Sequence, residues 1–222
     1  MRTPYIIIAT IGFACAACGS ASVSRSNSDI PTNATHASAP AVSRTPDVHE
    51  AEDHEVILAT GCGVERWPVK TGTDADRAKV KVSTLVETTI SYLRSRPKPA
   101  HYPTSNRIAP VELTRYHETA TLTQYKIEAD GDIHLVVKDS AGRSMIAEIP
   151  NPSCVGSSSP FRTRIATART NFQNQLHATT SWKHVSRTVR LDGVGFFDVL
   201  HGQTGVAPNG IELHPILGIA IP

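Results

Sequence analysis

Between residues 125 and 149, apolar and polar side chains alternate in a way that only extended strands can use. Tyr125, Ile127 and Ala129 alternate up to Asp130-Gly131, and Ile133, Leu135 and Val137 alternate after it. Residues two apart share one face of a strand, and an Asp-Gly pair between two such runs is a hairpin turn. A second turn at Asp139-Ser-Ala-Gly142 leads to Met145, Ala147 and Ile149 on one face, with Ser144, Ile146 and Glu148 on the other. A three-stranded meander is therefore expected before residue 150.

The next signals are helical. Ser159 reads as an N-cap, Pro160 as the first helical residue, and Phe161, Ile165, Ala168, Phe172 and Leu176 as one apolar stripe. Two strand regions follow, Val185 to Leu200 and Gly210 to Ile221. Upstream, Leu85, Thr89 and Leu93 recur four apart beside Val86 and Ile90, predicting a short helix over 83–96 that Pro97 and Pro99 stop. Three strands, a helix and two strands is the order of the five-stranded OB barrel, in which the helix plugs the barrel between strands three and four. The expectation is a mainly β, OB-like domain (β-β-β-α-β-β) over residues 58–222, with a short N-terminal helix. An open antiparallel sheet crossed by one helix would use the same elements.

Ahead of that domain the chain has a different character. Residues 1–17 combine Arg2 with an apolar stretch from Tyr5 to Ala17, the layout of an export signal peptide. Ala16 and Ala17 precede Cys18, and Gly19 and Ser20 follow it, which resembles the bacterial lipoprotein box in which that cysteine is lipidated after cleavage; plain secretion is the alternative. Residues 18–57 are rich in Ser, Ala, Thr, Pro and Asn, with too few apolar residues to form a core, and read as a disordered tether. The expected localisation is exported, as a bacterial membrane-anchored lipoprotein or as a secreted protein.

Removing Cys15 and lipidating Cys18 leaves two of the four cysteines, Cys62 and Cys154. In an oxidising compartment such a pair forms a disulfide, whereas its wide spacing does not make a closed zinc site. The net charge of +2 is too mild to announce a nucleic-acid binder. Past the N-terminus no apolar run reaches the 18 residues or so of a membrane-spanning helix.

The tail from Gly193 to Pro215 is crowded with glycine and polar residues that a plain core strand does not need. Glu212 and His214 are two apart on an expected strand, so they share a face, with His201 and Gln203 across a short connection and Asn209 between. His201, Gln203, Asn209, Glu212 and His214 are the candidate binding residues. Two imidazoles and nearby carboxylates could take a metal, but no compact ligand motif such as His-Glu-x-x-His is present, so a polar network fixing a tight hairpin is the favoured reading and no metal is expected. Gly-x-Ser-x-Gly, a phosphate loop and a dinucleotide fingerprint are also lacking, so neither a catalytic residue nor a cofactor is expected.

The strings Asn106-Arg-Ile-Ala-Pro-Val-Glu112, Met145-Ile-Ala-Glu-Ile-Pro150 and Gly195-Phe-Phe-Asp-Val-Leu-His-Gly-Gln-Thr-Gly-Val-Ala-Pro-Asn-Gly-Ile-Glu-Leu-His-Pro215 resemble those of a group of uncharacterised exported bacterial proteins. The resemblance covers residues 61–222 and implies a shared exported domain without a mechanism. Asp130-Gly131-Asp132 followed by Leu135 is similar to the metal-binding hairpin of staphylococcal-type thermonucleases, which are exported OB-fold proteins. That family carries a catalytic arginine on the next strand, where this chain reads Met145-Ile-Ala-Glu148-Ile-Pro150.

Basic residues cluster at Arg94, Arg96 and Lys98, at Arg162, Arg164 and Arg169, and at Lys183, Arg187 and Arg190; Tyr116, Tyr125, Trp182, Phe196 and Phe197 are the aromatics available for stacking. The expected function is thus an exported, lipid-anchored, non-catalytic OB-like binding domain at the cell envelope. Its partners would be an unidentified envelope ligand or protein, with nucleic acid a lesser prospect and the membrane met through the acyl anchor. The alternative is a metal-dependent phosphodiesterase or nuclease using Asp130, Asp132 or the group His201, Glu212 and His214.

Overall fold

The strand periodicity of the sequence is realised as one sheet that curls into a ring. The computed structural model describes residues 58–222, so the expected signal peptide, the Cys18 lipidation site and the tether lie outside the described residues. The elements are α1 (Trp67–Thr71), β1 (Lys81–Glu87), α2 (Ile90–Arg94), β2 (Thr114–Ile127), β3 (Ile133–Lys138), β4 (Ser144–Ile149), α3 (Arg162–Leu176), β5 (Lys183–Phe197) and β6 (Ile211–Ala220). The strand order is β1-β2-β3-β4-β6-β5, and β5 returns to pair with β2. Five strands, β2 to β6, therefore close on themselves, and β1 is added outside as a parallel neighbour of β2.

The joints of the ring are unequal. β2–β3, β3–β4, β2–β5 and β5–β6 are antiparallel, while β4 and β6 run parallel and are registered through Ile146↔Glu212 and Ala147↔Leu213. Pro215 brings no N–H to carry that short ladder further. The turn between β2 and β3 falls at Asp130-Gly131, as the alternation predicts. Gly131 has φ +85°, a backbone conformation that favours glycine, and a Cβ there would also press on the Asn151 side chain.

One face of the strands supplies the main apolar core: Leu122, Ile133, Leu135, Val137, Met145, Ala147, Ile149, Leu191, Phe197 and Leu213 pack with Ala168 and Phe172 of α3. Tyr125 meets Phe172 edge to face, with ring centroids 5.1 Å apart. A second cluster joins Phe161 and Ile165 of α3 to Val80, Val155, Val194 and Leu217. Each fully buried Phe or Ile contributes roughly 1.5–3 kcal/mol of transfer free energy. The Cys62–Cys154 disulfide is formed, with Cα atoms 5.7 Å apart across 92 residues of sequence.

Two local expectations are corrected. The helix expected over 83–96 is instead strand β1 followed by α2, a single turn and a half capped by Thr89, whose Oγ1 accepts the Tyr92 N–H at 3.1 Å. Val82, Thr84, Val86 and Thr88 are β-branched and favour extended backbone, and the edge of β2 offers a ladder, so Leu85 and Val86 stay exposed where a helix would have buried them. Helix α3 begins at Arg162, two residues after Pro160. Ser159 is its lead-in: its hydroxyl donates to the Thr71 carbonyl at 2.6 Å and accepts the Phe161 N–H at 3.1 Å.

Candidate functional site

The strand face opposite the main core is polar and yet buried. His134 alternates with Ile133 and Leu135 on β3, Glu148 with Ala147 and Ile149 on β4, and Glu212 and His214 with Leu213 on β6. The β3–β4 register sets His134 beside Glu148. Phe196, against the His214 ring at 5.5 Å, helps close this side, with Arg66 over its ring at 4.7 Å and Lys70 at 5.8 Å.

Glu148 is the hub. Its Oε1 lies 3.1 Å from His134 Nδ1 and its Oε2 lies 2.9 Å from His214 Nδ1. His134 Nδ1 also meets Glu128 Oε1 at 3.2 Å, and its Nε2–H donates to the Thr204 carbonyl at 2.9 Å, tying the connection between β5 and β6 to the ring. His214 Nδ1 meets Glu212 Oε1 at 3.3 Å, and its Nε2 faces Asp132 Oδ2 at 3.4 Å. Asp132 is held from behind, because its Oδ1 accepts the Asn151 N–H at 2.7 Å. Four carboxyl groups thus surround two imidazoles.

Enclosure amplifies these charges. Burial disfavours both imidazolium ions, but the carboxylates overturn it: Glu148, Asp132 and Glu212 hold His214 well above the ordinary imidazole range, and Glu128 and Glu148 do the same for His134. Burial raises the Glu148 carboxyl, and the two histidines outweigh it and hold Glu148 ionised. Burial, with the Glu148 and Asp198 charges behind it, pushes Glu212 up to about 8, and burial likewise raises Asp132. A small cavity lined by Lys70, Glu128, Glu148, Asp198, His201, Gln203 and Glu212 adjoins the centre, with room for about one water.

The candidates named from the sequence fall into separate roles. Glu212 and His214 share a face and join the centre, and Asp132 of the hairpin joins them. His201 is exposed at the cavity edge. Gln203 is occupied with its own loop: its amide donates to the Val199 carbonyl at 2.8 Å and its oxygen accepts the His201 N–H at 3.1 Å. Asn209 closes the end of α2, donating to the Leu93 and Arg96 carbonyls at 3.0 and 2.9 Å. Asp130 stays in the turn, accepting the Asp132 N–H at 2.9 Å.

Sequence reasoning missed His134, Glu148 and Glu128. The signal was present, since His134 and Glu148 both sit opposite an apolar alternation in adjacent strands. It also missed the clamp beneath the loop, in which Glu112 takes both Arg66 Nη atoms at 2.7 and 2.8 Å and the Ile108 and Phe197 N–H groups at 2.6 and 2.8 Å.

The stacking platform is corrected. Tyr116, Tyr125, Phe196 and Phe197 are all buried in the core or beneath the α1 side, and Trp182 is half-buried against His134 and Lys126. Several of the basic residues are also committed: Arg94 donates to the Ser144 carbonyl, Arg162 to Val155, and Arg169 to Ile149 and Gly131. Arg164, Lys183, Arg187 and Arg190 are exposed.

No protein-family model and no curated protein matches the chain. Among solved structures it is similar to a Leishmania major Friedlin protein assigned as an aspartyl-tRNA synthetase, at 15% identity and a TM-score of 0.36 over 61% of this chain. The chain spans 20% of that protein's length.

Proposed function

We propose that this chain is an exported, lipid-anchored OB-fold domain that binds a ligand at the cell envelope without turning it over. The wiring supports the fold reading: β2 to β6 follow the OB order, α3 joins the third and fourth strands of the ring, and the third and fifth run parallel. One observation carries the choice of binding over catalysis. The acid–base and metal-binding groups of the polar centre are enclosed, with Asp132 and His214 at 0% exposure, His134 at 1% and Glu212 at 2%, and they face one another rather than solvent. A general acid or base has to reach the bond it serves. The exposed cations of α3 and β5 favour an anionic ligand.

The second reading, a metal-dependent phosphodiesterase, draws on the meeting of Asp132 with Glu148 and His214. One experiment separates the two: fluorescence anisotropy of a labelled single-stranded oligonucleotide with the full chain across a salt series, with and without Mg²⁺ or Mn²⁺. Salt-sensitive binding of an intact strand is the expected result. Metal-dependent shortening of the strand would establish the phosphodiesterase and overturn the binding-only reading, and no binding at low salt would remove nucleic acid in favour of another envelope ligand.

A further inference from the structure

We propose that Asp132, Glu148 and His214 hold one divalent transition-metal ion, Zn²⁺ or Mn²⁺, as a structural ion on the buried polar face of the sheet, opposite the main core. This goes beyond the binding reading and does not depend on which ligand the surface takes. The three residues come from the β2–β3 turn, β4 and β6, and one ligand atom from each lies within 4.8 Å of the other two. A second observation points to a ligand at the same place. Asp132 Oδ2 and His214 Nε2, on side chains with no solvent exposure, are each without a hydrogen-bond partner, although they face one another at 3.4 Å. A ring nitrogen and a carboxylate oxygen shut away from water need a proton in good geometry or a cation between them, and their contact lacks hydrogen-bond geometry.

The surroundings are those of a supported ligand set. His214 turns its other nitrogen to Glu212 Oε1 at 3.3 Å, the carboxylate backing that fixes a metal-bound imidazole. Asp132 has one oxygen anchored by the Asn151 N–H and the other left for the ion, and Glu148 has Oε1 anchored by His134 while its Oε2, 2.9 Å from His214 Nδ1, turns from that nitrogen to reach the ion. Two carboxylates and one imidazole favour Zn²⁺ or Mn²⁺ over Ca²⁺, which takes oxygen alone, and over the thiolate-loving Cu(I). The adjoining cavity, with room for about one water, reaches Glu148 and Glu212. Enclosure by protein on all sides suits a closed structural site rather than one with a position open to substrate.

The test uses the full chain carrying His49→Ala and His54→Ala, because His49-Glu50-Ala51-Glu52-Asp53-His54-Glu55 can itself take up metal. After stripping with a chelator, the protein is titrated calorimetrically with ZnCl₂ or MnCl₂ and its Tm is followed. The proposal expects one ion per chain and a rise in Tm with the ion. Asp132→Asn and His214→Gln should each weaken binding by at least about tenfold and abolish the rise. Equal binding and equal Tm shifts in the parent and a folded Asp132→Asn chain would overturn it. If both variants fail to fold, Co²⁺ added to the parent decides: visible bands saturating at one equivalent and displaced by Zn²⁺ support the site, and an aqueous Co²⁺ spectrum overturns it. Oligonucleotide binding plays no part in this test, so failure here and failure of the binding reading are separately visible.

Discussion

His134 and Glu148 face each other across the β3–β4 ladder, and their side chains meet at 3.1 Å inside a region closed to water. Because Glu148 also meets His214 at 2.9 Å, a single carboxylate serves two imidazoles on two different strands. Replacing it by the uncharged isostere, Glu148→Gln, leaves both histidines short of a counter-charge. The expected loss is about 3–5 kcal/mol of unfolding free energy, the range for breaking a buried ion pair from one side. Urea denaturation at pH 7 measures it, and a loss smaller than 1 kcal/mol, roughly that of an exposed pair, would mean that the two imidazoles do not depend on Glu148.

Arg66 offers a comparison in which geometry rather than charge is removed. Its guanidinium donates to both oxygens of Glu112 and to the Phe197, Pro103 and Asn106 carbonyls. A lysine keeps the charge and cannot reproduce this planar fork. Arg66→Lys is therefore expected to cost about 2 kcal/mol or more, since buried acceptors are left without donors. Thermal unfolding followed by circular dichroism would register it, and an unchanged Tm would count against the clamp.

Glu118 predicts a pH dependence away from the polar centre. Burial pushes its carboxyl from the ordinary 4.5 up to about 7, with the Asp139 and Glu87 charges adding to the rise and the Ile90 N–H and His117 opposing it. The folded chain then holds a proton that the unfolded chain has released. Stability from this group is full below about 4.5, falls as pH rises, and is lost above about 7. The total is on the order of 3 kcal/mol. Glu118→Gln has no such proton to lose, so it should gain on the parent between pH 5 and pH 8; parallel urea profiles for the two chains across that interval would rule the shift out.

Converting both bridged cysteines to serine tests the staple. Closing 92 residues of sequence removes loop entropy from the unfolded chain. Cys62→Ser with Cys154→Ser should lower stability by about 2–5 kcal/mol while leaving the strand signature of the folded state, to be checked by denaturant unfolding of the two proteins side by side.

The readable parts of this chain were those whose cause is local. The period of two from Tyr125 to Ile149 gave three strands, Asp130-Gly131 gave their turn, and Glu212 and His214 were placed on one face by spacing alone. The helix stripe from Phe161 to Leu176 was legible for the same reason, although the start at Arg162 depended on Ser159 reaching the Thr71 carbonyl, far away in sequence. Residues 83–96 were misread because the β-branched run takes its ladder from β2, a partner that periodicity does not reveal. The polar centre was half legible. Alternation exposes His134 and Glu148 as polar residues on one face, but their meeting with His214 requires the parallel joint of β4 and β6, which depends on how the whole ring closes.

That joint has a consequence for how the molecule can come apart. The ladder between β4 and β6 ends at Ala147↔Leu213, and one residue further on Glu148 and His214 touch through their side chains. Where backbone pairing stops, charge takes over as the fastener. A barrel buttoned in this way has a preferred place to unzip: acid strong enough to protonate Glu148 would loosen β6 from β4 first, while the four antiparallel seams, held by amides that do not titrate, stay shut.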